Sequence, residues 1–392
     1  MGSILAEEVS VFDHVDYIPP DPIFELTLTF NADKDPRKVN LGQGTYKDEH
    51  GNPWILPSVR GAKEKIRDAN HEYLPILGLL PFRTHVTELV YGKDSPVVSE
   101  NKVAASQSLS GTGALHLAGS VLYQTLPKDT IVYINNPTWS NHRQVFETIG
   151  FEVRDFRWSS PKTGSLDLLS ILEDLSQAPP LSLIILHASG HNPSACDPSN
   201  EQWRQIATVI KDRQLLPLFD AAYLGITSGS YEADAFAIRH FVNDLKLETV
   251  ICASFAKNMG LYGERVGYVS MATKTAASAK AMQSRLAQQT RAEISNPPAF
   301  GARIVAAVLA DDELRAQWDR DLIKMSSRIS GMRTALYEGL KKRDTPGDWK
   351  PIMEQKGMFS VLGLPLAKVM ELRGLNEGNV EYVAAALDSV LR

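Results

Sequence analysis

The sequence predicts an α/β protein in which a large domain, built on a mostly parallel sheet, is joined to a smaller α+β domain. Short apolar runs alternate with helical segments between about residues 100 and 270, which is typical of a parallel sheet covered on both faces. The chain has 392 residues, 43% of them hydrophobic, enough for a large core and a second domain. Polar residues follow several apolar runs, where such sheets form their ligand crevice.

The elements of the large domain can be predicted in chain order. Helical spacing with charged faces predicts a helix over residues 57–70. Apolar runs predict strands over residues 103–109, 130–134, 183–186, 215–219, 249–252 and 266–270. Between them, helices are expected over residues 110–123 and 201–213.

The two ends of the chain have a different character. The N-terminal stretch contains several prolines and little periodicity, so we expect an arm and a loop there. A long amphipathic helical stretch over 301–343 connects to the smaller domain. In that domain we expect a strand over 357–363 and helices over 367–373 and 379–392.

Composition and charge exclude several classes of protein. A net charge of -5 gives no reason to expect nucleic acid or an anionic membrane as partner. The apolar run over 181–186 is too short to span a bilayer. Two cysteines, Cys196 and Cys252, do not make a disulfide framework. The N-terminus resembles neither a signal peptide nor a mitochondrial presequence, so we expect a cytoplasmic protein.

The stretch from Ser254 to Gly267 provides the main chemical signal. Lys257 follows a buried strand and stands among small and apolar residues, so burial should lower its pKa. A neutral amine is what Schiff-base chemistry requires. Ser254 and Arg265 add a hydroxyl and a fork of donors suited to a phosphate. The stretch therefore predicts an aldehyde cofactor that carries a phosphate and is held by Lys257.

Polar residues after the other strands fit the same cofactor. Ser110 opens a Gly-rich helix start whose backbone N–H groups can hold a phosphate. Asp220 ends an apolar run, and a buried carboxylate needs a cationic partner such as a protonated pyridine nitrogen. Tyr223 and Asn192 could bond a ring oxygen, and Trp139 could stack on a flat ring. Together they predict a pyridoxal phosphate (PLP) site. A nucleotide-binding protein is the poorer alternative, because no G-x-G-x-x-G follows the first strand.

At these residues the chain resembles the class I aspartate aminotransferases, which are fold type I PLP-dependent enzymes. The resemblance covers nearly the whole chain. It implies a seven-stranded sheet and a homodimer with shared active sites, whose small-molecule partners are an amino acid and a 2-oxo acid. The motifs that carry it are Pro19-Pro-Asp-Pro22, Leu56-Pro-Ser-Val-Arg60, Glu72-Tyr-Leu-Pro-Ile76, Ser110-Gly-Thr-Gly-Ala114, His191-Asn-Pro193, Ser254 to Gly267 and Ser295-Asn-Pro-Pro298.

The resemblance implies a role for each matching residue. Lys257 would form the Schiff base and shuttle the proton, and Asp220 would pair with the pyridinium nitrogen. Tyr223 and Asn192 would bond the ring oxygen, and Trp139 would stack on the ring with His142 and His187 behind it. The phosphate would be bound by Ser110, Gly111, Thr112, Ser254 and Arg265, and by Tyr73 reaching across the dimer.

The resemblance also implies residues that contact the substrate. Gly44 matches a loop glycine beside the substrate, and Trp139 and Asn192 would border it as well. Arg291 matches the arginine that grips the distal carboxylate of aspartate or glutamate from across the dimer. Tyr73 is counted with Lys257 among the catalytic residues, as are Asp220 and Tyr223.

Two departures from the family pattern bear on function. Ser194 and Ala195 stand where the family has Thr and Gly, and the added methyl is a hazard only if that position needs a positive φ. Near the C-terminus, Arg373 runs directly into Gly374. Two family strands are therefore expected to be missing, together with the arginine that clamps the substrate's α-carboxylate. Arg373 matches a helix end better than that clamp.

These observations give expected domains and a choice of functions. We expect an N-terminal arm and small-domain segment over 1–46, a large PLP-binding domain over 47–315, and a C-terminal small domain over 316–392. The first function is ping-pong transamination of aspartate or glutamate. The alternatives are a related PLP enzyme catalysing decarboxylation, β-substitution or carbon–carbon bond formation, and a PLP-binding homologue with little activity.

Overall fold

A seven-stranded sheet lies at the centre of the computed structural model, which describes residues 10–19, 27–28, 30–35, 44–160, 163–364 and 380–392. The strand order is β1-β7-β6-β5-β4-β2-β3, and only β7 runs antiparallel to its neighbours. The mostly parallel seven-stranded sheet is thus confirmed. The strands are β1 (Val103–Leu109), β2 (Ile131–Asn136), β3 (Glu152–Arg157), β4 (Leu183–His187), β5 (Leu216–Ala221), β6 (Thr249–Ser254) and β7 (Val266–Ala272).

Helices cover both faces of this sheet, as the alternating pattern predicts. A single π-helical turn, His240–Asp244, follows α9. The helices are α1 (Pro57–Lys65), α2 (Leu80–Tyr91), α3 (Pro96–Ser99), α4 (Ser110–Thr125), α5 (Asn141–Ile149), α6 (Leu168–Gln177), α7 (Asn200–Asp212), α8 (Tyr231–Asp234), α9 (Phe236–Arg239), α10 (Ala276–Glu293), α11 (Ala299–Ala310), α12 (Asp312–Lys342), α13 (Pro351–Glu354) and α14 (Val380–Leu391).

The apolar core lies on the two sides of the sheet. Strand β4 shows why: Leu183 and Ile185 belong to one buried cluster, and Ile184 and Leu186 to the other. Successive side chains of a strand point to opposite faces, so a strand buried on both faces reads as a continuous apolar run. Strand β3 is the exception, since its sequence EVRDFR is mostly exposed at the sheet edge.

A smaller cluster forms around the end of the long helix α12. It contains Leu340 of α12, Trp349 and Ile352 near α13, and Ala384 and Leu387 of α14. The helix expected over 379–392 is confirmed as α14. Among the described residues, no helix is long and apolar enough to cross a membrane.

The strand expected over 357–363 is wrong, because these residues form a turn and an irregular segment. A strand needs a neighbour for its backbone groups, and none lies beside it in the described part of the chain. The helix expected over 367–373 and the junction at Arg373 and Gly374 lie outside the described residues. The domain boundaries remain a prediction.

Candidate active site

The predicted site residues converge where parallel strands β4, β5 and β6 end. Asp220 lies near the end of β5, and Ser254 ends β6, three residues before Lys257. The Lys257 Nζ lies 5.0 Å from the centre of the Tyr223 ring. Burial, opposed by the charge of Asp220 and helped by that of Arg265, lowers the pKa of Lys257. The structure therefore supplies the poorly solvated amine that the sequence predicts.

A chain of hydrogen bonds ends on the buried carboxylate of Asp220. The Asn192 N–H donates to His187 Nδ1 (3.1 Å), so the proton of this imidazole is on Nε2, which lies 3.2 Å from Thr138 Oγ1. The Thr138 hydroxyl can then donate to His142 Nδ1 (2.8 Å), and His142 Nε2–H donates to Asp220 Oδ2 (3.0 Å). A single backbone amide thus fixes the tautomer of both histidines.

This network keeps Asp220 ionised although the residue is only 8% exposed. Burial would raise its pKa, but the hydrogen bond that His142 donates holds the pKa below its usual value. Burial also lowers the pKa of His187 well below normal, which leaves that ring neutral.

The second oxygen of Asp220 provides the test of fit for PLP. Oδ1 is buried and has no hydrogen-bond partner in the part of the chain that the structure describes. A buried carboxylate oxygen without a donor is costly. A protonated pyridine nitrogen is a cationic N–H donor and would satisfy this oxygen. The residues therefore fit the cofactor that the sequence predicts.

The predicted phosphate ligands also lie together. Ser110 Oγ is 2.8 Å from Ser254 Oγ, at the N-terminus of α4, where free N–H groups and the helix dipole favour an anion. Thr112 lies in the same first turn. A Cβ built on Gly111 would lie 3.5 Å from the Cβ of Ser254, and one on Gly267 would lie 2.5 Å from the Ser110 backbone. Gly267 is thus required for the close approach of β7 to this helix start.

Arg265, another predicted phosphate ligand, directly precedes β7. Its φ is 50°, and its Nη1 donates to the Tyr262 carbonyl oxygen (3.0 Å). Since β7 begins at the next residue and pairs with β1 and β6, Arg265 stands beside the strands that end at Leu109 and Ser254.

Tyr223 lies beside Lys257 and is hydrogen-bonded to Asn192, and Trp139 lies beside His142. Burial and the charge of Asp220 raise the pKa of Tyr223 well above normal, against a hydrogen bond with Asn192. Trp139 is half-buried and packs edge-on against His142, with ring centroids 5.4 Å apart. The roles of Tyr223 and Asn192 as ring oxygen ligands and of Trp139 as the stacking residue stay predictions.

Tyr73 and Arg291 do not join this group within one chain. Tyr73 is 84% exposed. Arg291 is exposed on α10, where its Nη1 donates to Ser295 Oγ (2.5 Å). Gly44 lies nearer, because a methyl built on it would be 3.5 Å from the Phe359 ring. Since the Phe359 ring packs at 89° to that of Tyr223, 5.3 Å away, Gly44 borders the crevice.

Sequence reasoning missed Thr138 and Phe359. Thr138 directly precedes Trp139 after β2, and that position is its only signal.

Ala195, where the family has glycine, has a φ of 56° and is fully buried. The position therefore needs a positive φ, which makes the added methyl a hazard and costs an L residue about 1–2 kcal/mol.

Comparisons with known proteins agree with this geometry. The family model for aminotransferase class I and II matches residues 36–381. The cytoplasmic aspartate aminotransferase of Saccharomyces cerevisiae is 42% identical, over 98% of this chain and 97% of that protein. Its solved structure superposes with a TM-score of 0.93 at 41% identity, covering 97% of this chain and 98% of that chain.

A second solved structure is similar over an equal length. The aromatic-amino-acid aminotransferase of Burkholderia pseudomallei, covalently bound to pyridoxal phosphate, has a TM-score of 0.93 and 39% identity, covering 98% of this chain and 100% of that one. The fold and the site thus define a fold type I PLP-dependent enzyme. The chain belongs to the class I and II aminotransferases.

Proposed function

We propose that this protein is a PLP-dependent aminotransferase that moves the amino group between aspartate or glutamate and their 2-oxo acids. The observation that carries the proposal is the buried Asp220 carboxylate, whose Oδ1 lacks a partner and whose charge acts on Lys257. The names of the relatives, aspartate aminotransferase from yeast and from Medicago sativa, support this substrate. The yeast name supports a cytoplasmic location.

Each residue has a definite task in this reaction. When bound, PLP supplies an aldehyde for covalent attachment and a ring that withdraws electrons from the substrate's Cα. The Lys257 amine, whose pKa burial lowers, would hold the cofactor, and its free Nζ would move the proton away from Cα. Asp220, kept ionised by His142, would hold the ring nitrogen protonated.

The remaining predicted residues bind and orient. Backbone N–H groups at the start of α4 would hold the phosphate dianion. Tyr223 and Asn192, already hydrogen-bonded to each other, would donate to the ring oxygen, and Trp139 would cover one face of the ring. The other groups assigned to the phosphate are the side chains of Ser110, Thr112, Ser254 and Arg265 and the backbone of Gly111.

The proposal includes a homodimer with shared sites. Tyr73 and Arg291 are both exposed, and neither contacts the Lys257 group in the part of the chain that the structure describes. In a dimer, Tyr73 would reach the phosphate and Arg291 the distal substrate carboxylate, each in the partner subunit's site. A guanidinium fork is suited to a carboxylate, so Arg291 accounts for the dicarboxylic substrate.

Covalent trapping tests the attachment. The protein is loaded with PLP, reduced with borohydride and digested, and the modified peptide is identified by mass spectrometry. We expect the cofactor mass on Lys257 alone. Lys257→Ala should trap no cofactor at this site, while Lys280→Ala, which changes an exposed lysine of α10, should label normally. Labelling at another lysine would refute the assignment.

The reaction is tested separately with L-aspartate and 2-oxoglutarate. Formation of oxaloacetate and glutamate by the wild type, abolished in Lys257→Ala, is the expected result. Release of carbon dioxide, or a loss of aspartate without oxaloacetate, would instead support decarboxylation or substitution chemistry. Labelled but inactive wild-type protein would support a PLP-binding homologue with little activity.

A further inference from the structure

We propose that Arg328 and Arg333, on the long helix α12, are positioning residues that hold together the two segments forming one wall of the substrate crevice. The first segment is residues 44–48 and the second is residues 355–361. The inference rests on the proposed function, since the crevice is the one that contains Lys257. It predicts that two arginines whose guanidinium groups bond to the backbone of these segments affect substrate binding.

Arg333 fixes the second segment through its backbone. Its Nη2 donates to the carbonyl oxygens of Gly357 (2.7 Å) and Phe359 (2.9 Å), and its Nη1 donates to Ser360 Oγ (2.7 Å). Among the described residues, no carboxylate lies within ion-pairing distance of this half-buried guanidinium. Its N–H donors therefore bond to backbone and side-chain oxygens of this segment and not to a carboxylate.

Gln355 completes the support of this segment. Its Nε2 donates to the Val361 carbonyl oxygen (2.9 Å), and the Val361 N–H donates to its Oε1 (3.1 Å). A neighbouring strand would meet backbone groups in the same way. The side chains of Arg333 and Gln355 thus bond to the backbone of residues 357–361 in place of a neighbouring strand. The segment is held by these bonds although it is not a strand.

Arg328 fixes the first segment in a similar manner. Its Nη1 donates to the Lys47 carbonyl oxygen (2.8 Å) and its Nη2 to that of Asp48 (3.1 Å). Its guanidinium also lies over the Tyr46 ring, 5.5 Å from the centroid, a favourable cation–π distance. The Tyr46 N–H donates to Tyr262 Oη (2.8 Å), so this segment is tied to the loop that contains Lys257.

The two segments meet at the crevice. Phe359 of the second approaches Gly44 of the first and packs against Tyr223. The second segment is also anchored to the loop after β4, because the Lys356 N–H donates to the Ala195 carbonyl oxygen (2.9 Å). Losing Arg333 would free the backbone of Phe359, and the ring that covers Tyr223 would lose its fixed position.

Binding of succinate to the PLP-loaded protein is the direct test. Succinate has both carboxylates of the substrate but no amine, so it binds without reacting, and its binding is followed by the absorbance of the bound cofactor. We expect Arg333→Ala to weaken succinate binding about ten-fold, the effect of losing hydrogen bonds to a charged group. Phe359→Leu, which removes the ring that packs against Tyr223, should weaken it by a similar factor. Arg333→Lys, which keeps the charge but not the fork, should lie between them and the wild type.

Steady-state kinetics with aspartate distinguish a positioning role from a direct effect on the chemical step. We expect KM for aspartate to rise with the succinate constant while kcat changes much less, because uniform binding is lost. Arg333→Ala combined with Phe359→Leu should weaken binding less than the product of the single effects, since both act through one ring. Arg320→Ala is the matched control, because Arg320 lies on the same helix and, among the described residues, its side chain bonds only to Gln317.

Two results would overturn the inference. One is an Arg333→Ala protein that binds succinate like Arg320→Ala while Phe359→Leu is impaired. The other is an Arg333→Ala protein with a lower melting temperature but unchanged succinate affinity at temperatures where it is folded, which would make the role structural only. A wild type that forms no cofactor band would refute the proposed function as well, so the two failures are distinguishable.

Discussion

Asp234, at the end of α8, is a carboxylate that the fold buries against backbone N–H groups. Its Oδ2 accepts from the N–H groups of Gly225 (2.7 Å), Thr227 (3.2 Å) and Ser228 (3.4 Å). Burial raises its pKa from 3.8 to about 6 against these bonds, and the charge of Asp197 adds to the rise. The residue that holds the loop after Tyr223 therefore titrates in an accessible pH range.

The sign of the resulting pH dependence follows from linkage. Between pH 4 and 6 the native protein holds this proton and the unfolded chain does not, so the free energy of unfolding falls as pH rises. From the two pKa values the contribution is at most about 3 kcal/mol. We expect the stability of Asp234→Asn relative to the wild type to increase from pH 4 to pH 6 and then level off, measured by urea unfolding. A difference that is independent of pH would contradict the assignment.

Single residues of the site differ in how well the sequence predicts them. Lys257, Asp220 and Ser110 can be predicted because each follows an apolar strand and has side-chain chemistry unusual for that place. Thr138 and Phe359 cannot, since a threonine and a phenylalanine have many ordinary roles and only tertiary contacts reveal theirs.

At the scale of elements, burial decides what the sequence shows. Strands such as β4 and β7 are buried along their whole length and read as apolar runs. Strand β3, at the edge, reads as polar and is missed. The segment over 357–363 reads as a strand because its composition suits one, but a strand also depends on a neighbour, which its own residues do not specify.

The close approach of β7 to α4 gives a prediction at this scale. An alanine Cβ at Gly267 would lie 2.5 Å from backbone atoms of Ser110, and backbone cannot move aside as a side chain can. We expect Gly267→Ala to destabilise the protein by about 1–3 kcal/mol, as overpacking does, and to weaken PLP binding because the helix start is displaced. Urea unfolding and cofactor dissociation measure the two effects.

Gly331 of α12 provides the matched control, since nothing lies within 4 Å of a Cβ built there. Gly331→Ala should stabilise by about 0.5–1 kcal/mol, the usual gain in a helix interior, with unchanged cofactor binding. If both alanines had the same effect, the contact with Ser110 would not be the cause.

At the scale of the whole molecule, the exposure of Tyr73 and Arg291 leads to a mixing experiment. Lys257→Ala and Arg291→Ala proteins should each be nearly inactive with aspartate. Random exchange of equal amounts makes half of the dimers mixed, each with one intact site, so we expect about a quarter of wild-type activity. Activity is assayed after dilution and re-association of the two proteins.

As the control, the Lys257→Ala protein alone is diluted and re-associated in the same way, and it should remain inactive. If the mixed sample recovers nothing although native mass spectrometry detects mixed dimers, Arg291 acts within its own subunit. The boundaries between the domains also concern the whole molecule, and they remain a prediction.

The position of β1 at the edge of the sheet has a consequence for protein synthesis. Its sheet neighbour is β7, so residues 103–109 have no strand to pair with until the ribosome has added residues 266–272. Ser110, which follows β1, also waits for Ser254 and Arg265. Pairing across such a long stretch is slow to form, and domains fold as their chain emerges. A nascent chain therefore lacks the complete phosphate pocket that we propose until about two-thirds of it has been translated, and we expect PLP to be taken up only after that.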